Sequence, residues 1–144
     1  MKGFRFGLEL VLEQRKTKEE EALLGQAKAL QECFKCQQDL DHTNQKLEEA
    51  FSYAGSILKP EEQLQSLIFR EHLQQTAQRQ QKHLQRAEEI FDIRRQDTAK
   101  ARQERMVLEK LKEKQLTEFR ARLLFLEQKE TDEMATLRYR VNVT

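Results

Sequence analysis

Tryptophan is absent from the 144-residue chain, proline occurs once and glycine four times. So few turn formers exclude a β-rich fold, whose strands are punctuated by Gly- and Pro-bearing turns. Aromatic residues make up 7%, leaving few of the large side chains that dominate a compact globular core. Long apolar runs are missing too, and no stretch approaches the roughly 20 apolar residues that span a bilayer. Neither sign of charge is in excess, with 26 Lys and Arg against 25 Asp and Glu. No global field therefore points to nucleic acid or anionic lipid. The opening residues run into Leu8–Leu12, which Glu9 interrupts and Glu13 ends. That is neither the apolar core nor the small-residue cleavage site of a signal peptide. The expected compartment is the cytosol, where Cys33 and Cys36 stay reduced.

Ala, Glu, Lys, Leu, Arg and Gln together supply about two-thirds of the residues, the composition of long helices and coiled coils. One place looks like a break. Gly55 suits a helix C-terminus because glycine readily takes the left-handed backbone that ends a helix. Pro60 suits the first turn of the next helix, with Glu61 and Glu62 complementing its dipole. After Pro60 there is no further Gly or Pro. The expectation is one coiled-coil domain over residues 1–144: a helix over about 6–54, a turn at about 55–60 and a helix over about 61–141. The fold class is all-α, an antiparallel two-helix coiled coil with a C-terminal helical overhang.

The first helix carries a heptad pattern. Leu23, Leu30, Gln37, Asn44 and Phe51 fall at one seam position, and Gln26, Cys33, Leu40, Leu47 and Ala54 at the other. That 3–4 spacing places both sets on one stripe facing a partner helix. In the second helix Leu64, Leu67 and Ile68 begin the stripe, and Leu73, Ala77, Leu84, Ala87 and Phe91 continue it. After a polar middle, Val107, Leu108 and Leu111 restart it, and Leu116, Phe119, Leu123 and Leu126 extend it. A turn centred near residues 57–58 pairs residues whose numbers total about 115, an estimate from hairpin geometry. Phe51 then lies near Leu64 and Leu8 near Val107, and the chain from Leu108 onward has no helix to cover it. That overhang holds the densest apolar cluster, Leu116, Phe119 and Leu123–Leu126. Uncovered apolar surface of this kind marks a site for another protein or a second copy.

Candidate chemistry is sparse. Cys33-Phe34-Lys35-Cys36 supplies at most two of the four ligands of a structural zinc, and His42 lies outside the usual ligand spacing. The pair sits mid-helix, not in the strand–helix setting of a redox motif, so it reads as a seam residue and its neighbour. His42, His72 and His83 read as solvated surface residues, and no nucleophile or carboxylate stands at a catalytic spacing. No phosphate-binding glycine loop is present. The pattern is that of a non-enzyme without cofactor or metal. Residues 94–114 carry eight Lys and Arg against four Asp and Glu. That mild excess fits a solvated helix face or a surface for an acidic partner, and lacks the aromatics of nucleic-acid binders. Phe69, Leu73, Thr76, Gln80 and His83 share one helical stripe, which belongs either to the seam or to an exposed binding face.

The two ends of the chain carry a resemblance. Phe4-Arg5-Phe6, Leu8, Val11-Leu12 and Arg15, followed by Lys18-Glu19-Glu20-Glu21-Ala22, are similar to the start of the FliJ family of flagellar export proteins. Arg105, Leu108-Glu109-Lys110-Leu111-Lys112-Glu113-Lys114 and Glu127-Gln128-Lys129-Glu130, Asp132-Glu133-Met134-Ala135 resemble its ending. The resemblance implies a non-enzymatic coiled coil like the central stalk of rotary ATPases. Such a protein associates with the hexameric ATPase of the flagellar type III export apparatus, promotes its assembly and activity, touches the membrane export gate and handles export chaperones. It implies a place at the cytoplasmic face of the inner membrane near the flagellar base. Carried onto this chain, ATPase contact falls to Phe4, Leu8, Arg105, Leu108, Leu111, Lys112, Leu116, Phe119, Leu123 and Leu126. Gate contact falls to Phe69, Leu73, Thr76 and His83; the polar Thr76 and Gln80 depart from the family's pattern. Two alternatives stand beside it, a structural coiled coil that self-associates through its overhang and the equivalent stalk of a virulence-type secretion system.

Overall fold

The computed structural model describes residues 3–56 and 59–143. Two helices make up the fold, α1 over Glu9–Ala54 and α2 over Pro60–Val143, packed antiparallel as a helical hairpin with no strand among the described residues. Glu9 begins α1 and Glu61 and Glu62 stand in the first turn of α2, where carboxylates favour the helix dipole. Ile57 and Leu58, where the turn's centre was expected, lie outside the described residues. The expected left-handed Gly55 is not found, since no described glycine has a positive φ. Instead Ser56 closes the end of α1. Its N–H donates to the Tyr53 carbonyl at 3.0 Å and its hydroxyl to the same oxygen at 2.7 Å, occupying a carbonyl the helix leaves unpaired.

Contacts divide the chain into two units, one formed by Glu19–Lys100 and the other by residues up to Lys18 with those from Ala101 on. In the first unit, the buried and half-buried residues of α1, Gly25 aside, are Glu19, Ala22, Gln26, Ala29, Cys33, Cys36, Leu40, Thr43, Leu47, Ala50 and Ala54. They alternate by four and three without a break, the seam of a coiled coil. Gln26, Cys33, Leu40, Leu47 and Ala54 thus lie where the heptad put them. The other expected set does not. Leu23, Leu30, Gln37, Asn44 and Phe51 are exposed, and each stands one residue after a true seam position. The seam uses Ala22, Ala29, Cys36, Thr43 and Ala50 instead, because small side chains let helix axes come closer than Leu would. Thr43 and Thr98 enter it without an unpaired hydroxyl, each donating to the carbonyl four residues earlier at 3.0 Å.

On α2 the seam of this unit runs through Ser66, Arg70, Leu73, Ala77, Gln80, Leu84, Ala87, Phe91 and Thr98, all buried or half-buried. Leu64, Leu67 and Ile68, expected to begin the stripe, are exposed. Register explains the difference. The Arg94 side chain lies 3.8 Å from where a Cβ on Gly25 would stand, and the Arg70 guanidinium sits 5.0 Å over the Phe51 ring. These numbers total 119 and 121, about one helical turn beyond the expected 115, so Phe51 meets Arg70, and both line one groove with Leu64.

The second unit keeps that register. Arg15 pairs with Glu104 and Lys112 with Glu9, both at 2.8 Å, and the rings of Phe4 and Phe119 are 5.5 Å apart. Leu12 is 1% exposed and Phe6 7%, so apolar burial anchors both the first turns of α1 and the non-helical segment before it. Phe4 and Arg5 line a groove with Gln115, Glu118, Phe119 and Arg122. The N-terminal segment therefore covers α2 as far as about Arg122, and the overhang does not begin at Leu108 as the simple geometry had it.

Candidate interaction surfaces

Past Leu123 the large apolar residues of α2 are exposed. Leu123 is half-buried, while Leu124, Phe125, Leu126, Met134, Leu137, Tyr139, Val141 and Val143 are exposed. The residues carried over for ATPase contact divide accordingly. Phe4 and Phe119 are engaged with each other, Lys112 with Glu9, and Arg105 with Glu109 at 2.6 Å. Leu108, Leu111 and Leu116 are half-buried, and Leu8 is exposed. Leu123 and Leu126 lie on or beside the uncovered stretch. Met134, Leu137 and Val141 lie there too and were missed, although their spacing of three and four was visible in the sequence.

In the first unit the residues carried over for gate contact also separate. Phe69 and His83 are exposed, Thr76 is half-buried and donates to the His72 carbonyl at 2.9 Å, and Leu73 is buried in the seam. Phe69, Leu73, Thr76 and Gln80 line a groove with His42, His72, Asp39, Thr43 and Lys46. A neighbouring groove joins His83, Arg86 and Ile90 to Glu32, Cys36, Asp39 and Gln80. Shared Asp39 and Gln80 place all three histidines of the chain along one side of the hairpin. Reading each helix alone did not bring them together, because that side is assembled only by the register between helices. Beside the turn, Phe51, Tyr53, Leu64, Leu67, Ile68 and Phe69 add a second exposed apolar group.

The cysteines are both free and half-buried. Burial pushes the Cys33 thiol above its ordinary range, and Glu88, Glu32 and Asp92 push it further. Burial does the same to Cys36, helped by Glu32, whose carboxylate accepts from Sγ at 3.8 Å. Both stay thiols at neutral pH, a poor state for a nucleophile or a metal ligand. Among the described residues no group of three or more His, Cys, Asp or Glu is placed to hold a metal. No described helix is long and apolar enough to cross a membrane. What the arrangement presents is exposed apolar side chains on the far part of α2 and grooves of mixed lining along the histidine side of the hairpin.

The sequence pattern of the flagellar FliJ protein family matches residues 4–144. No curated protein and no solved structure matches the chain. A family match over essentially the whole length, on a fold that is the expected helical hairpin, makes this chain a member of the FliJ family of flagellar proteins, a component of the flagellar export machinery.

Proposed function

We propose that this chain is a non-enzymatic stalk that binds the hexameric flagellar export ATPase, promotes its assembly and activity, and links it to the membrane export gate and to export chaperones. The observation that carries the reading is the set of exposed apolar residues from Leu124 to Val143. It leaves large apolar side chains together on a single helix, and exposed apolar groups of this kind mark a partner site. A helix entering the axis of a ring presents such a surface to the surrounding subunits. Preferential binding to the assembled ring then shifts the ATPase toward its active form without any chemistry by the stalk. Leu123, Leu126 and Leu137 are the residues assigned to that contact. Phe4, Leu8, Arg105, Leu108, Leu111, Lys112, Leu116 and Phe119 extend the proposed ATPase contact toward the start of α1.

The gate contact is assigned to the histidine side of the hairpin, through Phe69, Thr76 and His83. Leu73 supports them from within the seam. The site of action is the cytoplasmic face of the inner membrane near the flagellar base. The experiment is ATP hydrolysis by the same organism's export ATPase with and without the chain. Stimulation by wild type, lost when Leu123, Leu126 and Leu137 are changed together to Ser, supports the reading. Equal stimulation by that variant, or by a chain truncated before Arg105, refutes it.

A further inference from the structure

At its turn end the hairpin carries a groove lined by Lys46, Glu49, Tyr53, Glu62 and Phe69, with buried Ala50 at its base. Tyr53 is 64% exposed and Phe69 52%, so both rings remain in contact with water. With facing residues numbering about 120 in total, the order along the groove away from the turn is Glu62, Tyr53, Phe69, Glu49 and Lys46. The two carboxylates therefore bracket the two rings, and Lys46 lies beyond Glu49. Neither carboxylate forms an ion pair among the described residues, and nor does Lys46. Lys46 and Phe69 also line the next groove along this side, with His42 and His72. The surface is thus continuous with the one assigned to gate contact.

The lining narrows the occupant. Aromatic faces attract a cation, whereas a purely apolar side chain would cover the rings and leave Glu49 and Glu62 beside it without a partner. The charge of this end opposes an acidic segment or an anionic lipid surface, since residues 46–71 hold five Glu against three Lys and Arg. Of those cations, Arg70 is already laid over the Phe51 ring at 5.0 Å, in the other groove beside the turn. The chain thus makes within itself the kind of contact that Tyr53 and Phe69 leave open. A furrow between two antiparallel helices suits a third helix lying along it.

We propose that this groove takes a helix of a partner protein that sets an Arg or Lys against Tyr53 and Phe69, with Glu49 and Glu62 meeting its charge. The inference rests on reading this side of the hairpin as a partner surface, and it names the chemistry the partner presents at the turn end. An Arg is the better occupant, because its planar guanidinium stacks on a ring while still donating to a carboxylate.

Two synthetic helical peptides test it, alike except for one central position that holds either Arg or its neutral isostere citrulline. The full chain is titrated with each and followed by fluorescence anisotropy. The Arg peptide is expected to bind about tenfold tighter, an electrostatic preference that salt weakens. Changing Glu49 and Glu62 together to Gln removes most of that preference. Changing Tyr53 and Phe69 together to Leu keeps an apolar lining and also lowers it, and circular dichroism confirms that both variants keep their helices. Equal affinity for the two peptides, or binding of neither, overturns the proposal, as does a preference that survives the Glu49 and Glu62 changes. Dimerisation of wild type in sedimentation that is lost on changing Tyr53 and Phe69 gives the groove to a second copy and overturns it too. A wild type that shows the preference but does not bind the export gate refutes the gate reading alone. Gate binding without the preference refutes this inference alone.

Discussion

Two stretches of helix in this chain solve opposite problems. Ala22–Ala54 of α1 and Leu123–Val143 of α2 are both unbroken helix with apolar residues spaced by three and four. In the first, the recurring residues are mostly small, Ala22, Ala29, Cys36 and Ala50 among them, and they are buried or half-buried against α2. In the second they are large, Leu126, Met134, Leu137 and Val141, and they are exposed. The size of the residue separates the two roles. Small residues let two helices of one chain close on each other, and the larger Leu23, Leu30 and Phe51 are left outside. Large residues left exposed on a helix offer apolar area that a partner would remove from water.

The contrast breaks most sharply at Leu12, among the described residues the one large side chain that is essentially inaccessible. Leu12→Ala is expected to destabilise the hairpin by about 3 kcal/mol, within the range for buried leucines, while Leu124→Ala changes stability by less than about 0.5 kcal/mol. Urea unfolding followed by circular dichroism measures both. Next comes the seam. Ala29→Leu adds volume to a close contact and is expected to cost about 2 kcal/mol. Leu30→Ala, the neighbouring residue and the larger by far, should cost much less. If Leu30→Ala proves the more damaging, the seam assigned here is wrong by one position.

How much was legible beforehand follows the same division. Gln26, Cys33, Leu40, Leu47 and Ala54 could be placed because one polar residue in a heptad does not hide its period. Ala29 and Ala50 could not, because a pattern that weights large residues reads Leu30 and Phe51 first. The register needed contacts between helices, and the error of about one turn came from assuming the turn's centre. That error also uncovered Leu108 on paper, whereas the pairing of Lys112 with Glu9 and of Phe119 with Phe4 covers α2 further along. The histidine side of the hairpin escaped for the same reason, since Asp39 and Gln80 come together only in the folded register.

Smaller effects sharpen the register. Arg15 and Glu104 pair at 2.8 Å with side chains 34% and 38% exposed. Glu104→Gln should therefore lower stability by no more than about 1 kcal/mol, with the loss shrinking as salt rises. A salt-independent loss would point to packing and not to the ion pair. Gly55→Ala gives the smallest change and tests a sign. With no left-handed glycine, and with Ser52 O at an ordinary 3.5 Å from the added Cβ, the variant should be neutral or stabilised by up to about 1 kcal/mol. A melting temperature lowered by several degrees would restore the left-handed helix end that the structure lacks.

The most direct test of the division between self-packing and partner-binding helix is hydrogen exchange, read peptide by peptide, on the chain alone and with the export ATPase. An uncovered helix lacks the tertiary packing that slows opening. Residues 124–143 should exchange fast in the free chain and become protected on adding the ATPase, while Leu40–Ala50 stays slow in both. Slow exchange over 124–143 in the free chain, or protection gained only in the Leu40–Ala50 seam, would contradict the account.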